Sequence, residues 1–492
     1  MTINQVPVII PVSLLLFAFI TFLAGIWRRR LAFPVALTGI IISFAASVTG
    51  LIYVLQKGPI HYYLGGWQPP LGIEYVLDNL SAFMAVIILS IALLSMIYSR
   101  QSFIKEVPDK VVPLYSLLLL LIAGLTGIVV TGDVFNIYVF LEIASLTAYA
   151  VMGIGNDKAP VAVFRYVIIG TIGACFYLLG VGFLYFATGS LNMADIARLL
   201  PGIPDSRLVV AGAVFIITGM SLKMALFPFH IWLPDVYTYA PSGVITFVAP
   251  LMTKVGAYVV IRMLISVFVP GYLTVNFPIL TVVSWLAAAG ILVGSIMAIA
   301  QKDLRRMLAY SSVAQISYVA LGIGLANPLG LIGAMLHILN HAVMKGCLFQ
   351  VAGNIRYRTG LWNIPQFAGL GKHMRWTMVA FTIGAVSMVG IPPAAGFFSK
   401  WYLVLGSVDA GNWAFVVVIL ISSLLNAVYF FRILEKAYTV DSGIDPAVAR
   451  AADPPPSMLA PTLILAAGII VLGILNAIIV TGILQPIVIG FP

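Results

Sequence analysis

Four lysines and one glutamate lie inside long apolar stretches of the sequence. Lys223, Lys254, Lys345 and Lys400 are each flanked by hydrophobic residues, and so is Glu142. A charged side chain at the centre of a bilayer costs about 2.5–3.5 kcal/mol on insertion scales, so it needs a partner or a water-filled cavity. Burial lowers the pKa of a lysine and a nearby carboxylate raises it again, so such a pair makes a proton site of adjustable affinity. These residues therefore predict an ion path.

Glu142 allows two interpretations. It is either a carboxylic acid kept protonated by burial, or one half of an ion pair with Lys223 across a helix interface. For ionisable residues inside a membrane the functional interpretation is the default. Lys254 would be the next relay point, since the apolar residues on both sides of it argue against a side chain that reaches the membrane surface.

The densest group of titratable residues is His337, His341 and Lys345. Their spacing of four places all three on one face of a helix. Two histidines at this spacing could bind zinc, but no glutamate lies between them and a lysine one turn later would repel a divalent cation. Because imidazoles titrate near neutrality, the pattern favours a proton relay over a metal site or inert core histidines.

Prolines interrupt two of the apolar stretches. Pro228 follows Lys223 by five residues, and Pro392-Pro393 precedes Lys400, which would be the terminal charge of the path. A proline inside a helix frees backbone carbonyls that lipid cannot satisfy, so both breaks must face protein or water.

Several polar residues at the edges of the apolar stretches have a structural or an undecided role. His230, just past the first break, could either serve the relay or cap freed carbonyls. Near predicted helix ends, solvation or capping is the better interpretation, which applies to Asp78, Asp133 and Asp235 and to the group Asp303, Arg305 and Arg306.

Composition sets the class of protein. Of 492 residues 62% are hydrophobic and 9% charged, whereas a soluble domain carries about a quarter charged residues. The net charge of +10 is spread over short loops and does not indicate nucleic-acid binding. With Cys175 and Cys347 both in apolar stretches and no glycine-rich loop after a strand, we expect no metal, no cofactor and no redox or hydrolytic site in this chain. Redox chemistry would belong to another subunit.

The sequence predicts an all-α, multi-pass membrane protein with fourteen spans. They lie near 5–26, 33–55, 77–99, 111–131, 133–153, 161–188, 207–238, 243–267, 277–300, 303–325, 330–353, 376–406, 411–436 and 458–484. With the N-terminus outside, 18 of the 26 Lys and Arg fall in cytoplasmic connections, 4 outside and 4 within spans. The positive-inside rule then places both termini on the outer side of a prokaryotic cell membrane.

The interrupted spans, the seventh and the twelfth, are five spans apart. A unit of five helices that repeats must reverse its orientation, and inverted repeats with broken helices are a recurrent plan for ion transport. We therefore expect an N-terminal segment at 1–110, two five-helix repeats at 111–270 and 271–440, and a last helix at 441–492.

Five segments resemble one family, the antiporter-like subunits of respiratory complex I, of Mrp Na⁺/H⁺ antiporters and of membrane-bound hydrogenases. These segments are Thr131–Glu142, Lys223–Asp235, Lys254–Tyr258, His337–Lys345 and Gly390–Lys400, in the order expected for the family. The Thr-Gly-Asp-x-Phe-Asn sequence from Thr131 and the lack of a long C-terminal lateral helix are most similar to the D-type Mrp subunit and its hydrogenase counterpart. Lys400 departs from one complex I subtype, which has glutamate there.

The resemblance implies an ion pair between Glu142 and Lys223, a relay through Lys254 and the histidine-bearing helix, and an exit near Lys400. The expected function is proton conduction, coupled to neighbouring membrane subunits that move H⁺ and possibly Na⁺. The alternatives are a self-sufficient Na⁺/H⁺ or solute transporter and a structural subunit that does not conduct.

Overall fold

The computed structural model describes residues 3–203, 206–268, 278–439 and 443–489. Its α-helices, in chain order, are α1 Val6–Trp27, α2 Ala32–Lys57, α3 Asn79–Glu106, α4 Val111–Val130, α5 Val134–Met152, α6 Ala159–Thr188, α7 Met193–Leu199, α8 Arg207–Met224, α9 Trp232–Tyr239, α10 Ser242–Ser266, α11 Ile279–Ile299, α12 Leu304–Gly324, α13 Pro328–Thr359, α14 Leu370–His373, α15 Arg375–Val389, α16 Ala395–Asp409, α17 Trp413–Tyr438, α18 Pro446–Ala449, α19 Pro456–Ile474, α20 Asn476–Ile479 and α21 Gln485–Val488. Short 3₁₀ turns occupy Ile3–Gln5, Arg29–Leu31, Leu64–Gly66, Pro108–Lys110, Leu200–Gly202, Phe229–Ile231 and Ile364–Gln366, and a π turn occupies Val480–Leu484.

The multi-pass helical fold predicted from the sequence is confirmed. Among the described residues, 13 helical segments are long and apolar enough to cross a membrane. The predicted twelfth span, 376–406, is instead two helices of 15 residues each, α15 and α16, on either side of the Pro392-Pro393 break. The predicted last span, 458–484, ends at Ile474, because Leu475 leaves the helical conformation with ψ near 5°.

The first break begins before its proline. Helix α8 ends at Met224, and Ala225 adopts a left-handed conformation with φ of 58°. Ala225 N donates to Leu222 O and Leu226 N donates to Ser221 O, which closes the last turn. Lys223 therefore lies in the last turn of α8, where the helix dipole favours a cation.

A small β-hairpin is added to the helical fold. The strands β1 (Ile60–Tyr63) and β2 (Glu74–Leu77) pair antiparallel between α2 and α3, with Ile60 opposite Leu77. Aromatic and β-branched residues in both strands suit a half-buried pleated surface. The hairpin falls between the predicted second and third spans, and each of its strands is only four residues long.

Three of the helices that carry the candidate site are the most enclosed of the described spans. Over the most apolar 18 residues of each helix, 89% of the residues are buried in α10, 94% in α12 and 89% in α13. Helices at the periphery expose large apolar side chains instead, among them Phe19 of α1, Phe164 of α6 and Leu424 of α17. An exterior of this kind is matched to lipid or to neighbouring membrane subunits.

Helices α6 and α8 pack closely through glycines. A Cβ added at Gly219 would lie 2.5 Å from Gly173 O and 2.8 Å from Tyr177 N, both backbone atoms. A Cβ at Gly180 would lie 2.7 Å from Gly212 O. Small residues at such crossings let two membrane helices approach closely. This contact fixes the position of α8, and with it Lys223, against α6.

Gly219→Ala should therefore destabilise the protein by about 1–3 kcal/mol, since the added methyl group meets backbone that cannot move aside. The matched control is Gly182→Ala in α6, where nothing lies within 4 Å of the added Cβ. The thermal unfolding of both variants in detergent measures the difference. Equal unfolding temperatures for the two variants would contradict the predicted packing.

Candidate functional site

The four buried lysines share one kind of environment. Their residues are exposed by only 7% (Lys223), 1% (Lys254), 0% (Lys345) and 6% (Lys400). In the described part of the chain none of them has a carboxylate oxygen within 4.0 Å, and each ammonium donates to backbone carbonyls or serine hydroxyls. Neutral oxygens thus take the place of counter-ions.

Lys223 donates from Nζ to Ser145 Oγ at 2.8 Å. Ser145 lies one turn after Glu142 on α5, and Glu142 interacts with Lys223 electrostatically without an ion pair within 4.0 Å. The direct pair that the family resemblance implies is therefore replaced here by the serine. A cavity of about 30 Å³, lined by Lys223, Ser145 and residues of α10 such as Gly256, adjoins the ammonium. Its volume is that of about one water molecule.

Lys254 lies beside a proline inside α10. Pro250 cannot donate to Thr246 O, and Ser95 Oγ of α3 donates to that carbonyl at 2.8 Å instead. Lys254 Nζ donates to Ala249 O, just before the proline, at 2.6 Å. Pro250 is a site residue absent from the sequence predictions, and its signal is its position four residues before Lys254.

Lys345 on α13 is bound by α12. Its Nζ donates to Leu308 O at 2.8 Å and to Ser311 Oγ. It also interacts electrostatically with Lys254 across the interface of α10 and α13. The second and third lysines of the predicted path therefore belong to one cluster.

The histidines of α13 differ in their hydrogen bonding. His337 bonds Ser399 Oγ through Nδ1 at 2.9 Å and Gln315 Oε1 through Nε2 at 3.0 Å. Neither ring nitrogen of His341 bonds a protein group within the described residues, although both are buried. The two rings stack with centroids 5.8 Å apart. The predicted shared face is therefore present, and His341 is its unbound member.

Lys400 occupies the second break. Its Nζ donates to Met388 O and Val389 O, both at 3.0 Å. In a continuous helix these carbonyls would accept from residues 392 and 393, but both are prolines and have no N–H. The ammonium therefore substitutes for the two missing donors.

Further contacts connect Lys400 with the histidines. Its Nζ donates to Ser423 Oγ at 3.1 Å and lies 5.2 Å from the ring centroid of Tyr318. The Tyr318 ring lies 5.5 Å from that of His337, and Ser399, next to Lys400 in sequence, is bonded to His337. Lys400 thus adjoins the histidine face.

The polar residues at helix ends mostly cap helices as predicted. Asp78, Asp133 and Asp303 accept hydrogen bonds from the first turns of α3, α5 and α12. Asp235 instead forms ion pairs, with Arg306 at 3.2 Å and Arg165 at 3.6 Å.

His230 lies in the 3₁₀ turn after the first break. Its ring stacks on Phe227 with centroids 5.5 Å apart, and its Nδ1 is buried without a hydrogen-bond partner. Capping of freed carbonyls through Nδ1 is therefore not observed, and a part in the relay stays a prediction.

One partly buried ion pair was not predicted from the sequence. Arg262 of α10 donates from Nη1 and Nη2 to the two oxygens of Asp78 at 2.6 and 2.8 Å, and from Nε to Tyr258 Oη at 3.0 Å. Burial would raise the pKa of Asp78, but the guanidinium and the bonds from Ser81 outweigh it and hold that pKa at about 2. The residues are 184 positions apart, so no local pattern indicated the pair.

The serines that bind the lysines were also missed. Serine is common at the packing surfaces of membrane helices, so a serine such as Ser311 or Ser423 does not stand out in the sequence as a lysine ligand. Only Ser145 carried a signal, since it lies three residues after Glu142 and so on the same helix face.

Comparison with known proteins assigns a family to this arrangement. Residues 131–426 match the model of the family described as "NADH:quinone oxidoreductase/Mrp antiporter, TM". The NADH-quinone oxidoreductase subunit N of Desulforudis audaxviator is 50% identical over 454 residues, which cover 90% of each chain. The D-type subunit of the Na⁺/H⁺ antiporter of Alkalihalophilus pseudofirmus is 30% identical over 395 residues, 80% of this chain and 78% of that protein.

A solved structure agrees over the whole chain. A chain of the membrane-bound sulfane sulfur reductase, an archaeal respiratory membrane complex, superposes with a TM-score of 0.90 and 30% identity. The match covers 98% of this chain and 97% of that one. The similarity therefore extends beyond the segments that first indicated it.

Asp78→Asn should destabilise the protein by about 2–3 kcal/mol at pH 7, because it leaves the Arg262 guanidinium without a counter-ion. The control is Asp195→Asn, because its partner Arg198 has a side chain that is 78% exposed. This variant should lose about 1 kcal/mol or less of folding stability. Thermal unfolding of both variants provides the measurement.

The pH dependence has a defined sign. The folded pKa of Asp78 lies below its ordinary value of 3.8, at about 2. The contribution of Asp78 to the free energy of unfolding is therefore fully present above pH 4 and is lost as the pH falls from about 4 to 2. A wild-type advantage over Asp78→Asn that declined already between pH 7 and 5 would contradict this assignment.

Proposed function

We propose that this chain, which belongs to the NADH:quinone oxidoreductase/Mrp antiporter family of transmembrane subunits, conducts protons through its buried lysines and histidines. The observation that carries the proposal is that all four lysines are buried with only neutral oxygens as hydrogen-bond acceptors. An inert scaffold gains nothing from the insertion cost of these groups.

Neutral acceptors suit a proton carrier. A protonated lysine has three N–H donors, and the neutral amine keeps two. A carbonyl or hydroxyl oxygen can therefore accept from Lys254, Lys345 or Lys400 in either protonation state. A carboxylate within bonding distance would instead favour the charged form strongly. The side chains can lose and regain a proton without losing their position.

The placement of these side chains supports a route in the order predicted from the sequence. The small cavity beside Lys223 is lined by α10, the helix that carries Lys254. Lys254 interacts electrostatically with His341 and Lys345, and His341 stacks on His337. The two unbound nitrogens of His341 are available to a water molecule or to the transferred proton.

The last step leads from the histidines to Lys400. The Tyr318 ring lies beside both the His337 ring and the Lys400 ammonium. Ser399, which precedes Lys400 in the sequence, is hydrogen-bonded to His337. The route therefore ends at the second helix break, where the ammonium lies on freed carbonyls.

Glu142 is positioned to act as the switch. It lies with Phe135, Val139 and Leu146 on one stripe of α5, and those three side chains are exposed by 42, 40 and 62%. Glu142 is itself half-buried. A neighbouring subunit can thus approach the carboxylate, and a change in the neighbour's charge would alter how strongly Glu142 acts on Lys223.

The proposal assigns partners and a place to the chain. It would work in the cell membrane of a prokaryote with both termini outside, beside other membrane subunits that couple H⁺ to another ion such as Na⁺ or to a redox reaction. Cofactors would belong to those subunits. The boundaries at residues 110, 270 and 440 and the inverted repeats belong to the same proposal.

Lys223→Ala in the intact complex should reduce proton-coupled transport at least tenfold, because it removes the first proton carrier while leaving helix packing unchanged. Glu142→Ala should do the same by removing the switch. Dye-monitored proton movement in membrane vesicles measures transport, and subunit content after purification measures assembly.

The control is Lys57→Ala at the end of α2, which removes an equal charge from an exposed position. It should transport normally. Normal transport by fully assembled Lys223→Ala complex would exclude the mechanism.

The purified chain alone in liposomes should show little transport, because coupling requires charged groups of its neighbours. Proton and Na⁺ fluxes under an imposed gradient provide the measurement, with protein-free liposomes as the baseline. Robust Na⁺/H⁺ exchange without partners would instead indicate a self-sufficient transporter.

A further inference from the structure

A large cavity lined by three basic side chains lies at one end of the bundle, away from the lysine route. It has a volume of about 470 Å³ and lies where α3 and α13 end and where α10 and α12 begin. This is the side that the distribution of basic loop residues predicts to be cytoplasmic. Cavities of roughly 300–1,000 Å³ are typical of small-molecule sites.

Arg305 lines this cavity although the residue is almost fully buried. It is 6% exposed, and its Nη1 donates to Ala240 O at 2.8 Å. The guanidinium carbon lies 3.6 Å from the ring centroid of Trp362. Its Nε is buried without a partner, and no carboxylate lies within 4.0 Å of it among the described residues. The positive-inside rule requires basic residues in loops but gives no reason to bury one.

Two further cations line the same cavity. Arg356 donates from Nη1 to Gly360 O, and its guanidinium carbon lies 4.8 Å from the Trp362 centroid. Lys105 donates from Nζ to Tyr357 O. Each of them is oriented by a single backbone carbonyl and keeps further N–H groups. The two guanidinium groups lie beside one ring and repel each other, and an anion between or beside them would offset that repulsion.

The one carboxylate in the cavity wall is already bound. Glu106 accepts from Ser242 N, at the start of α10, at 2.9 Å through Oε2 and from Ser102 Oγ at 3.2 Å through Oε1. It therefore stabilises a helix N-terminus and forms no ion pair with the cations within 4.0 Å. Three cations against one carboxylate leave the cavity with a net charge of +2.

We propose that this cavity binds a phosphate group carried by a small molecule or by a lipid headgroup. Guanidinium forks bind phosphate oxygens in pairs, and Lys105 would add a point charge. The volume exceeds that of a simple ion, so the phosphate would be part of a larger ligand. The site does not depend on proton conduction, since none of its residues belongs to the lysine route.

The test uses the purified full chain in a phosphate-free maltoside detergent at constant ionic strength. Pyrophosphate represents soluble phosphates, and mixed micelles containing phosphatidylglycerol represent lipid headgroups. Binding is measured from the rise in unfolding temperature with ligand concentration and from ligand retained in native mass spectrometry. We expect one of the two probes to stabilise the wild type, and which one does so identifies the source of the phosphate.

Three variants test the site. Arg356→Gln should weaken binding about tenfold, and Arg305→Gln should abolish it. Arg450→Gln, which removes an exposed charge from the same side outside the cavity, should bind like the wild type. Arg305 is buried, and its variant could fail to fold. The binding affinities of Arg356→Gln and Arg450→Gln are therefore compared to decide whether the cavity binds the probe. Equal affinities of these two, or no binding of either probe to the wild type, would overturn the proposal.

Discussion

The structure depends on how four ammonium groups are accommodated inside a membrane protein. Each is satisfied by neutral oxygens, and the arrangement at Lys400 is made by proline. Pro392 and Pro393 have no N–H to offer Met388 O and Val389 O, and Lys400 donates to both. Ala249 O, next to Pro250, accepts from Lys254. Backbone that would be costly in lipid becomes the ligand of a buried cation.

This arrangement determines which helices can form the interior. Helices α10, α12 and α13 carry the lysines, the histidines or their ligands, and they are also the most enclosed. A charge held only by carbonyls and hydroxyls tolerates neither lipid nor a loose neighbour, because each unsatisfied donor costs several kcal/mol. Peripheral helices such as α1, α6 and α17 exclude lipid from this interior, and the glycine contact of α6 with α8 holds Lys223 in its place.

The spans and the charged residues of the site could be predicted from the sequence. The ligands of the lysines, the hairpin and the distant ion pair could not, and each has a physical reason. Hydrophobic runs located the spans, and lysines and prolines within them located the site, because both residue types are costly there. The ligands had no such signal: Ser311 and Ser423 are ordinary serines of membrane helices until Lys345 and Lys400 are placed beside them. The hairpin of β1 and β2 was too short to detect. The pair of Asp78 with Arg262 depends on the packing of distant helices.

The buried arginines show why lysine is used along the route. Arg262 is bound by both oxygens of Asp78, and a guanidinium does not release its proton in proteins. That pair can only hold α10 to the start of α3. A lysine side chain that donates only to neutral oxygens can be either a charged ammonium or a neutral amine. The chain therefore fixes Arg262 with a carboxylate and leaves the four lysines exchangeable by the absence of one, and these lysines lie between Glu142 and the second helix break.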